Sequence, residues 1–354
     1  MQDNIRLREM GPRDGPALER LNRETPDTGR VAFFTQFLHD PYEVLRALHP
    51  SMVGVVAEAG DHDGLVGMGL AHFGECLYEG ELLPYAYFNS LSVHPEYRRR
   101  GIAARLGSWR VEVARRQFEQ AGKEGIIFAG IQGGNTGSLH TAVKWSNGRI
   151  DGRSQVGVVR MRTSPPKPVD GLLVRPAMDG ELGEIEEKES SFYHQYNLYP
   201  PQTADQLKEW RSARVLGHPV HEYMVAVDSA GNIEAGMALT ARGELTTDHV
   251  VRLPGLIRVA NVFLRVIPPG GVTRRISAER IWCAPGKTEA GRFLWESARW
   301  LWRERGTNMM TFFDPRSPLA QMVTLPRFAP KSLGSIVLHT PMPVQEARLV
   351  YFSP

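Results

Sequence analysis

The stretch Leu91-Ser-Val-His-Pro-Glu-Tyr-Arg-Arg-Arg-Gly-Ile-Ala-Ala-Arg-Leu106 decides the fold. The alternating run Tyr87-Phe-Asn-Ser-Leu-Ser-Val93 reads as a strand ending at Val93. Pro95 and Tyr97 turn the chain, and Arg98 to Ala103 open a helix. From Gly101 to about Gln120, Ile102, Leu106, Trp109, Val113 and Phe118 recur mostly at helical spacing. The first turn of a helix has unpaired N–H groups and the positive end of the helix dipole. A strand–loop–helix that exposes them cradles an anion and suits a phosphate. Gly101 and Ala103 lack bulk, so a pyrophosphate can approach the backbone. The arginines add charge-assisted hydrogen bonds.

Working outward, Ile126-Ile-Phe-Ala-Gly-Ile131 is a short buried strand, and residues 136–145 after a Gly-rich turn read as helix. Upstream, residues 54–71 hold two apolar runs around a Gly/Asp turn, a β-hairpin. The first half therefore reads strand, helices, hairpin, strand, helix, strand, helix, strand.

Near the middle, Thr163-Ser-Pro-Pro-Lys-Pro-Val-Asp-Gly171 carries three prolines in four positions, which neither a helix nor a central strand tolerates. It reads as a linker over residues 165–171, between units at 1–164 and 172–354. The second unit repeats the order of the first. Residues 224–240 form a matching hairpin, with Gly236 at an offset of 169 from Gly67. Pro285 and Gly291 match Pro95 and Gly101 at an offset of 190. An internal duplication with extra residues in the second copy explains both offsets; the alternative is two ordinary α/β domains sharing common punctuation.

Arg98-x-x-Gly101-x-Ala103, preceded by Val93-x-Pro95, resembles the acetyl-CoA signature of the GCN5-related N-acetyltransferases, the GNAT superfamily. Asn135-x-x-Ser138 is similar to the family's next motif. The resemblance implies an α/β (α+β) fold of two GNAT-like domains in tandem, each a mixed, mostly antiparallel sheet flanked by helices. It implies that backbone amides from Arg99 through Arg100, Gly101 and Ile102 to Ala103 hold the CoA pyrophosphate, with Arg98 at the loop's first position. The main chain of Leu91 and Val93 would pair with pantetheine, and one amide there would polarise the thioester carbonyl. Asn135 would bond the pantetheine arm or orient the amine, with Ser138 on the same helix face. The amine would attack the thioester directly in a ternary complex. Residues 34–42 and 51–58 also look similar to plant Hookless-type acetyltransferases.

The sequence departs from the family where a Tyr often protonates the leaving thiolate; here that position is Ala142. Ser138 and Tyr87 are the stand-ins. Glu75, Glu81, His72 and Tyr85 are candidates for the general base, and Glu81 is carried forward with Ser138 and Tyr87. In the second half, Thr288 stands where Arg98 does, Glu289 puts a negative charge in the loop, and Phe293 replaces Ala103. Each change opposes pyrophosphate. The second half is expected to lack CoA, to complete the acceptor pocket and to cover the first unit's sheet edge. Trp295, Trp300 and Trp302 read as packing.

The 354 residues suit about two domains. A composition of 42% hydrophobic and 23% charged residues excludes wholesale disorder. No apolar run approaches the roughly 20 residues of a membrane helix, and the N-terminus shows no secretory pattern. Two cysteines exclude a disulfide scaffold and fit the cytoplasm, and the histidines lack metal spacing. A net charge of +3 gives no reason to expect nucleic acid. The expectation is a cytoplasmic N-acetyltransferase using acetyl-CoA and no metal. It acts on a primary amine, either a small molecule or an amino-acid derivative; a homodimer is left open. The alternatives are a CoA-binding pseudoenzyme with a regulatory or scaffolding role, and a tandem relative using aminoacyl-tRNA, which the small charge opposes.

Overall fold

The computed structural model describes residues 5–26, 31–326 and 332–353; residues 1–4, the start of the N-terminus read above, lie outside the described residues. The first half runs β1 (Ile5–Glu9), α1 (Gly15–Glu24), β2 (Ala32–Phe37), α2 (Pro41–Leu48), β3 (Val53–Ala59), β4 (Leu65–Tyr78), β5 (Glu81–Val93), α3 (Ile102–Gln120), β6 (Ile126–Ile131), α4 (Thr136–Ala142) and β7 (Gly148–Arg160). The second runs β8 (Leu172–Pro176), α5 (Leu182–Tyr193), β9 (Tyr196–Asn197), α6 (Ala204–Ser212), β10 (His221–Asp228), β11 (Ile233–Thr240), β12 (Thr246–Arg252), α7 (Gly255–Leu264), β13 (Val272–Thr273), β14 (Arg275–Cys283), α8 (Thr288–Leu301), β15 (Asn308–Phe313), α9 (Leu319–Met322), β16 (Ser332–His339) and β17 (Leu349–Val350).

The halves share one twelve-stranded sheet, in the order β1-β3-β4-β5-β6-β16-β7-β15-β14-β11-β10-β8. The order is symmetric about the centre. The last long strand of each half crosses into the other. Thus β16 pairs with β6, β7 pairs with β15, and the two crossing strands pair antiparallel with each other. The proline-rich stretch lies between β7 and β8 with no strand or helix. No sheet edge is left at β6 or β15, which removes the pairing hazard of an open edge.

A second, three-stranded sheet joins β2 of the first half to β12 and β13 of the second. Its strands were not foreseen: residues 32–37 fall where the sequence predicts helix. Ala32-Phe-Phe-Thr-Gln-Phe37 is aromatic and poor as a helix, but its partner β12 lies some two hundred residues away, beyond any local pattern. The segment from β12 to β13 is the insertion that separates the offsets of 169 and 190.

Apolar residues fill both faces of the large sheet. Trp282 and Trp295 are fully buried in the second half. Rings of this size remove on the order of 200 Å² from water, worth about 5 kcal/mol each before entropy is counted. Trp295 and Trp302 join one core with Met309 and Leu294, as the stripe reading expects.

Candidate active site

The site begins where two strands part. β5 and β6 are paired only through Tyr85–Ile126, Ala86–Ile127 and Tyr87–Phe128. Beyond Tyr87 they diverge into a wedge. A bulge between β4 and β5 bends the strand there, with Ser90 at φ +50°. Arg110 of α3, nearly inaccessible to solvent, holds the bulge. Its Nη1 donates to the carbonyls of Leu70 and Asn89 at 3.1 and 3.2 Å, and its Nε to Leu106 at 3.3 Å. Gly69 leaves the room: a Cβ there would sit 3.1 Å from the guanidinium.

The loop after β5 closes the mouth of the wedge. Arg98 Nε donates to the carbonyl of Val93 at 3.1 Å, which folds the loop back on its strand. Arg99 and Gly101 take φ of +65° and +80°. Gly101 is the N-cap of α3 and supplies no capping side chain, so the first helical amides face the mouth unpaired by the helix. Glycine is needed here for its left-handed φ, since a Cβ would meet nothing within 4 Å. Ile102 is buried in the core and offers main chain only. Arg98, Arg99, Gly101, Ile102 and Ala103 border the cavity; the Arg100 guanidinium instead lies 4.6 Å over the Tyr97 ring.

Leu91, Val93, Asn135 and Ser138 also line the cavity. Asn135 is the N-cap of α4, its Oδ1 accepting from the Ser138 amide at 3.1 Å. The two residues, three apart at the helix start, both border the cavity; capping takes the Asn135 carbonyl oxygen and leaves Nδ2 to donate. Ala142 is buried in a cluster with Ile131 and Val337. Val337 of the crossing strand β16 packs in that cluster, and Ala142 itself borders the cavity.

The catalytic candidates separate. Tyr87 is buried on the cavity wall, 5.2 Å from the Phe128 ring and 6.0 Å from His72. Burial raises its pKa, so it stays a phenol. His72 is buried beside it, with Nε2 3.0 Å from Asn89 Oδ1 and Nδ1 without a partner. Burial lowers its pKa to about 4, so it is neutral. Glu81 is exposed at the hairpin end of β5 and does not border the cavity. Six residues of extended strand put it about 20 Å from Tyr87, which removes it from the chemistry. Glu75 is exposed and reaches Lys123 at 3.4 Å, and Tyr85 packs toward Phe128 outside the lining.

The sequence reading missed the groups from the other half. The cavity, of about 1300 Å³, is walled on that side by Arg242, Asp248, Arg275 and Glu279. Arg275 and Glu279 sit on β14 at the positions that Tyr85 and Asn89 hold on β5, by the 190 offset. Asp248 accepts from Thr35 Oγ1 at 2.8 Å through the small sheet. Only the tertiary fold brings them here; no local signal marks them.

The second wedge, between β14 and β15, is filled by protein. These strands pair only from Arg275–Asn308 to Ser277–Met310. Tyr193 donates its hydroxyl to the carbonyl of Ile281, the counterpart of Leu91, at 2.5 Å. Arg280, buried, bonds Glu189 at 2.6 Å and Tyr199 at 3.0 Å. The loop is also gone. α8 starts at Thr288, so Thr288 to Gly291 form a helical turn where the first half has its loop. A Cβ on Gly291 would lie 2.2 Å from Met322, inside packed protein. Glu289 is exposed and Phe293 half-buried on this helix.

Residues 18–145 match the model of the acetyltransferase (GNAT) family. The chain carries a GNAT domain on a fold of two GNAT units in tandem. A GCN5-related N-acetyltransferase from Sphaerobacter thermophilus superposes with a TM-score of 0.59 at 15% identity, over 96% of this chain and 97% of that one. A tandem GNAT protein from the clavulanic acid biosynthesis pathway gives 0.58 at 13%, over 97% and 100%. Saccharomyces cerevisiae N-myristoyltransferase, solved with bound myristoyl-CoA and inhibitors, gives 0.60 at 11%, over 97% and 83%. These likenesses establish the GNAT fold. No curated protein matches the sequence, so the similarity to Hookless-type proteins gains no support. Among the described residues, no helix is long and apolar enough to cross a membrane.

Proposed function

We propose that this GNAT protein transfers an acetyl group from acetyl-CoA to a primary amine, using the first wedge alone. The observation that carries the reading is the contrast between the wedges: one opens beneath a left-handed loop at Arg98 to Ala103, and the other is plugged by Tyr193 and wound into helix. The residues present fit the donor. The amides from Arg99 to Ala103 would hold the pyrophosphate, and the outer edge of β5 at Leu91 and Val93 would pair with pantetheine. An amide there would stabilise the oxyanion as the amine nitrogen adds to the thioester carbonyl. The C–S bond then breaks, and Tyr87, which borders the cavity, would give the thiolate its proton. His72 Nδ1 is the acceptor nearest in kind for the ammonium proton. The unit at 1–164 is read as the donor half, completed by β16 from beyond the linker.

Calorimetric titration with acetyl-CoA tests this. One site per chain, lost in Gly101→Glu, is expected. Two sites would overturn the reading of the second wedge, and none would sink the donor assignment. Buried Ala142 favours a second reading, a CoA-binding pseudoenzyme. It predicts one acetyl-CoA site with no thiol release over a broad amine panel.

A further inference from the structure

We propose that the acceptor is an amino carboxylate, its carboxylate seated between Arg242 and Arg275 of the second half. The proposal rests on the acyl-transfer reading for the amine, but the anion seat stands on its own geometry.

Both guanidiniums border the cavity and both are underused. Arg242 Nε is buried without a hydrogen-bond partner among the described residues. Arg275 Nε is buried and likewise lacks a hydrogen bond; its nearest carboxylate oxygen, on Asp248, is 3.8 Å away. Both side chains are half-buried, and Arg275 Nη1 donates only to Met310 Sδ at 3.8 Å; a buried Nε–H without an acceptor is costly unless an anion completes it. A third cation on the wall, Arg110, has its donors committed to three carbonyls. Burial lowers the pKa of Arg242, with Arg275 adding repulsion and Glu279 and Asp248 opposing it. The same Arg242 charge is felt at His49, His72 and Tyr87. Arg242, His72, Tyr87 and Leu91 border one cavity, so an anion on Arg242 shares it with the acyl-transfer wedge.

The balance of charge selects the ligand. On this wall Arg242 and Arg275 stand with Asp248 and Glu279, while His49 and His72 are held neutral by burial; Arg98, Arg99, Arg110 and Lys144 border the same cavity further toward the wedge. A zwitterion adds no net charge to this set. Its carboxylate meets the arginines in bidentate fashion, and its amine points toward the wedge. A phosphate would satisfy the arginines but bring no amine to the wedge. A neutral amine would leave both guanidiniums unfilled.

The test has a binding arm and a turnover arm. In the first, melting temperature is followed with each of the twenty common N-acetyl-amino acids against its uncharged amide. At least one acid should stabilise the wild type while its amide does not. Arg242→Met and Arg275→Met should each weaken that acid at least tenfold. Arg242→Lys keeps a charge should the methionine variant fail to fold, and should lose at least threefold. Glu279→Gln removes a competing anion and should tighten the acid. Equal response to acids and amides, or no response to any acid, overturns the proposal. In the second arm, thiol release from acetyl-CoA should favour a free amino acid over its amide at least tenfold in kcat/KM, the loss in Arg242→Met falling in KM. Carboxylate binding without turnover would retain the anion seat and refute the acyltransferase reading; equal turnover of acid and amide would do the reverse.

Discussion

Ser90 and Arg280 stand 190 positions apart and share a left-handed backbone, φ +50° and +53°, at the bulge of matching strands. One backbone device thus serves two ends. At Ser90 the bulge opens a wedge to the cavity. At Arg280 the side chain runs into the equivalent space and ties it shut with Glu189, Tyr199 and the carbonyl of Pro200.

The plug makes a stability prediction. Glu189→Ala leaves Arg280 buried and uncompensated, and should cost about 3–5 kcal/mol. Acetyl-CoA affinity of the folded protein should change less than twofold. The double variant Glu189→Met, Arg280→Met should recover most of the loss. Urea denaturation with parallel calorimetry checks this; a large affinity loss with intact stability would contradict it.

Arg110 should behave oppositely. Arg110→Met strands the carbonyls of Leu70 and Asn89, costing about 1–3 kcal/mol for each that stays dry, whereas that of Leu106 keeps its place in the helix. Because both flank the bulge, acetyl-CoA binding should weaken as well. Arg110→Lys should retain part of both. An unchanged dissociation constant in the methionine variant would show that the bulge does not shape the wedge.

Gly101→Ala isolates the loop. The new Cβ meets no atom, so the penalty is the left-handed backbone alone, roughly 1–2 kcal/mol. If the loop abandons φ +80° to relieve it, acetyl-CoA affinity should fall about tenfold with the melting temperature nearly unchanged. Gly101→Asn, which tolerates this region better, should fall less.

Tyr87→Phe removes the proposed acid without changing the buried ring. The kcat should drop by about 100-fold, with the KM for acetyl-CoA within twofold. A loss below threefold would assign the departing thiolate no help from this hydroxyl.

Acid should destabilise the fold through buried histidines. His72 and His221 are held neutral, with burial lowering each pKa to about 4. Unfolded, they take up protons near pH 6.5. Below that pH the unfolded chain binds more protons than the folded one, so stability falls as pH falls. For His72 the slope is about 1.4 kcal/mol per pH unit, flattening below pH 4. Denaturation midpoints from pH 7 to 4 check this. His72→Gln should flatten the slope.

What could be read from the chain follows the range of the interactions. Arg98 to Ala103 declare themselves because the strand end, the glycine and the helix start are neighbours in sequence. The duplication shows because turn glycines repeat at fixed offsets. The crossing of β7 and β16 does not show, since an apolar strand carries no mark of which sheet it joins. Glu81 was misjudged for a related reason: being on the right strand says nothing of which end. The capping role of Asn135 is not legible either, because it depends on where α4 starts. Arg242, Asp248, Arg275 and Glu279 reach the cavity only through the insertion and the pseudosymmetric sheet.

The crossing strands have a consequence for how such a molecule can be divided. A chain cut at the proline-rich stretch would yield two fragments, each missing its central strand and each holding its neighbour's. Neither fragment should be stable alone, and the two mixed should reassemble, at an affinity set by the whole central seam rather than by a surface patch. Two identical copies of one half, exchanging strands about a twofold axis, would build the same sheet. The covalent tether turns that association into an intramolecular event. It also frees one copy from carrying its own donor site, which is how a wedge can be lost on one side and its wall turned to face the other.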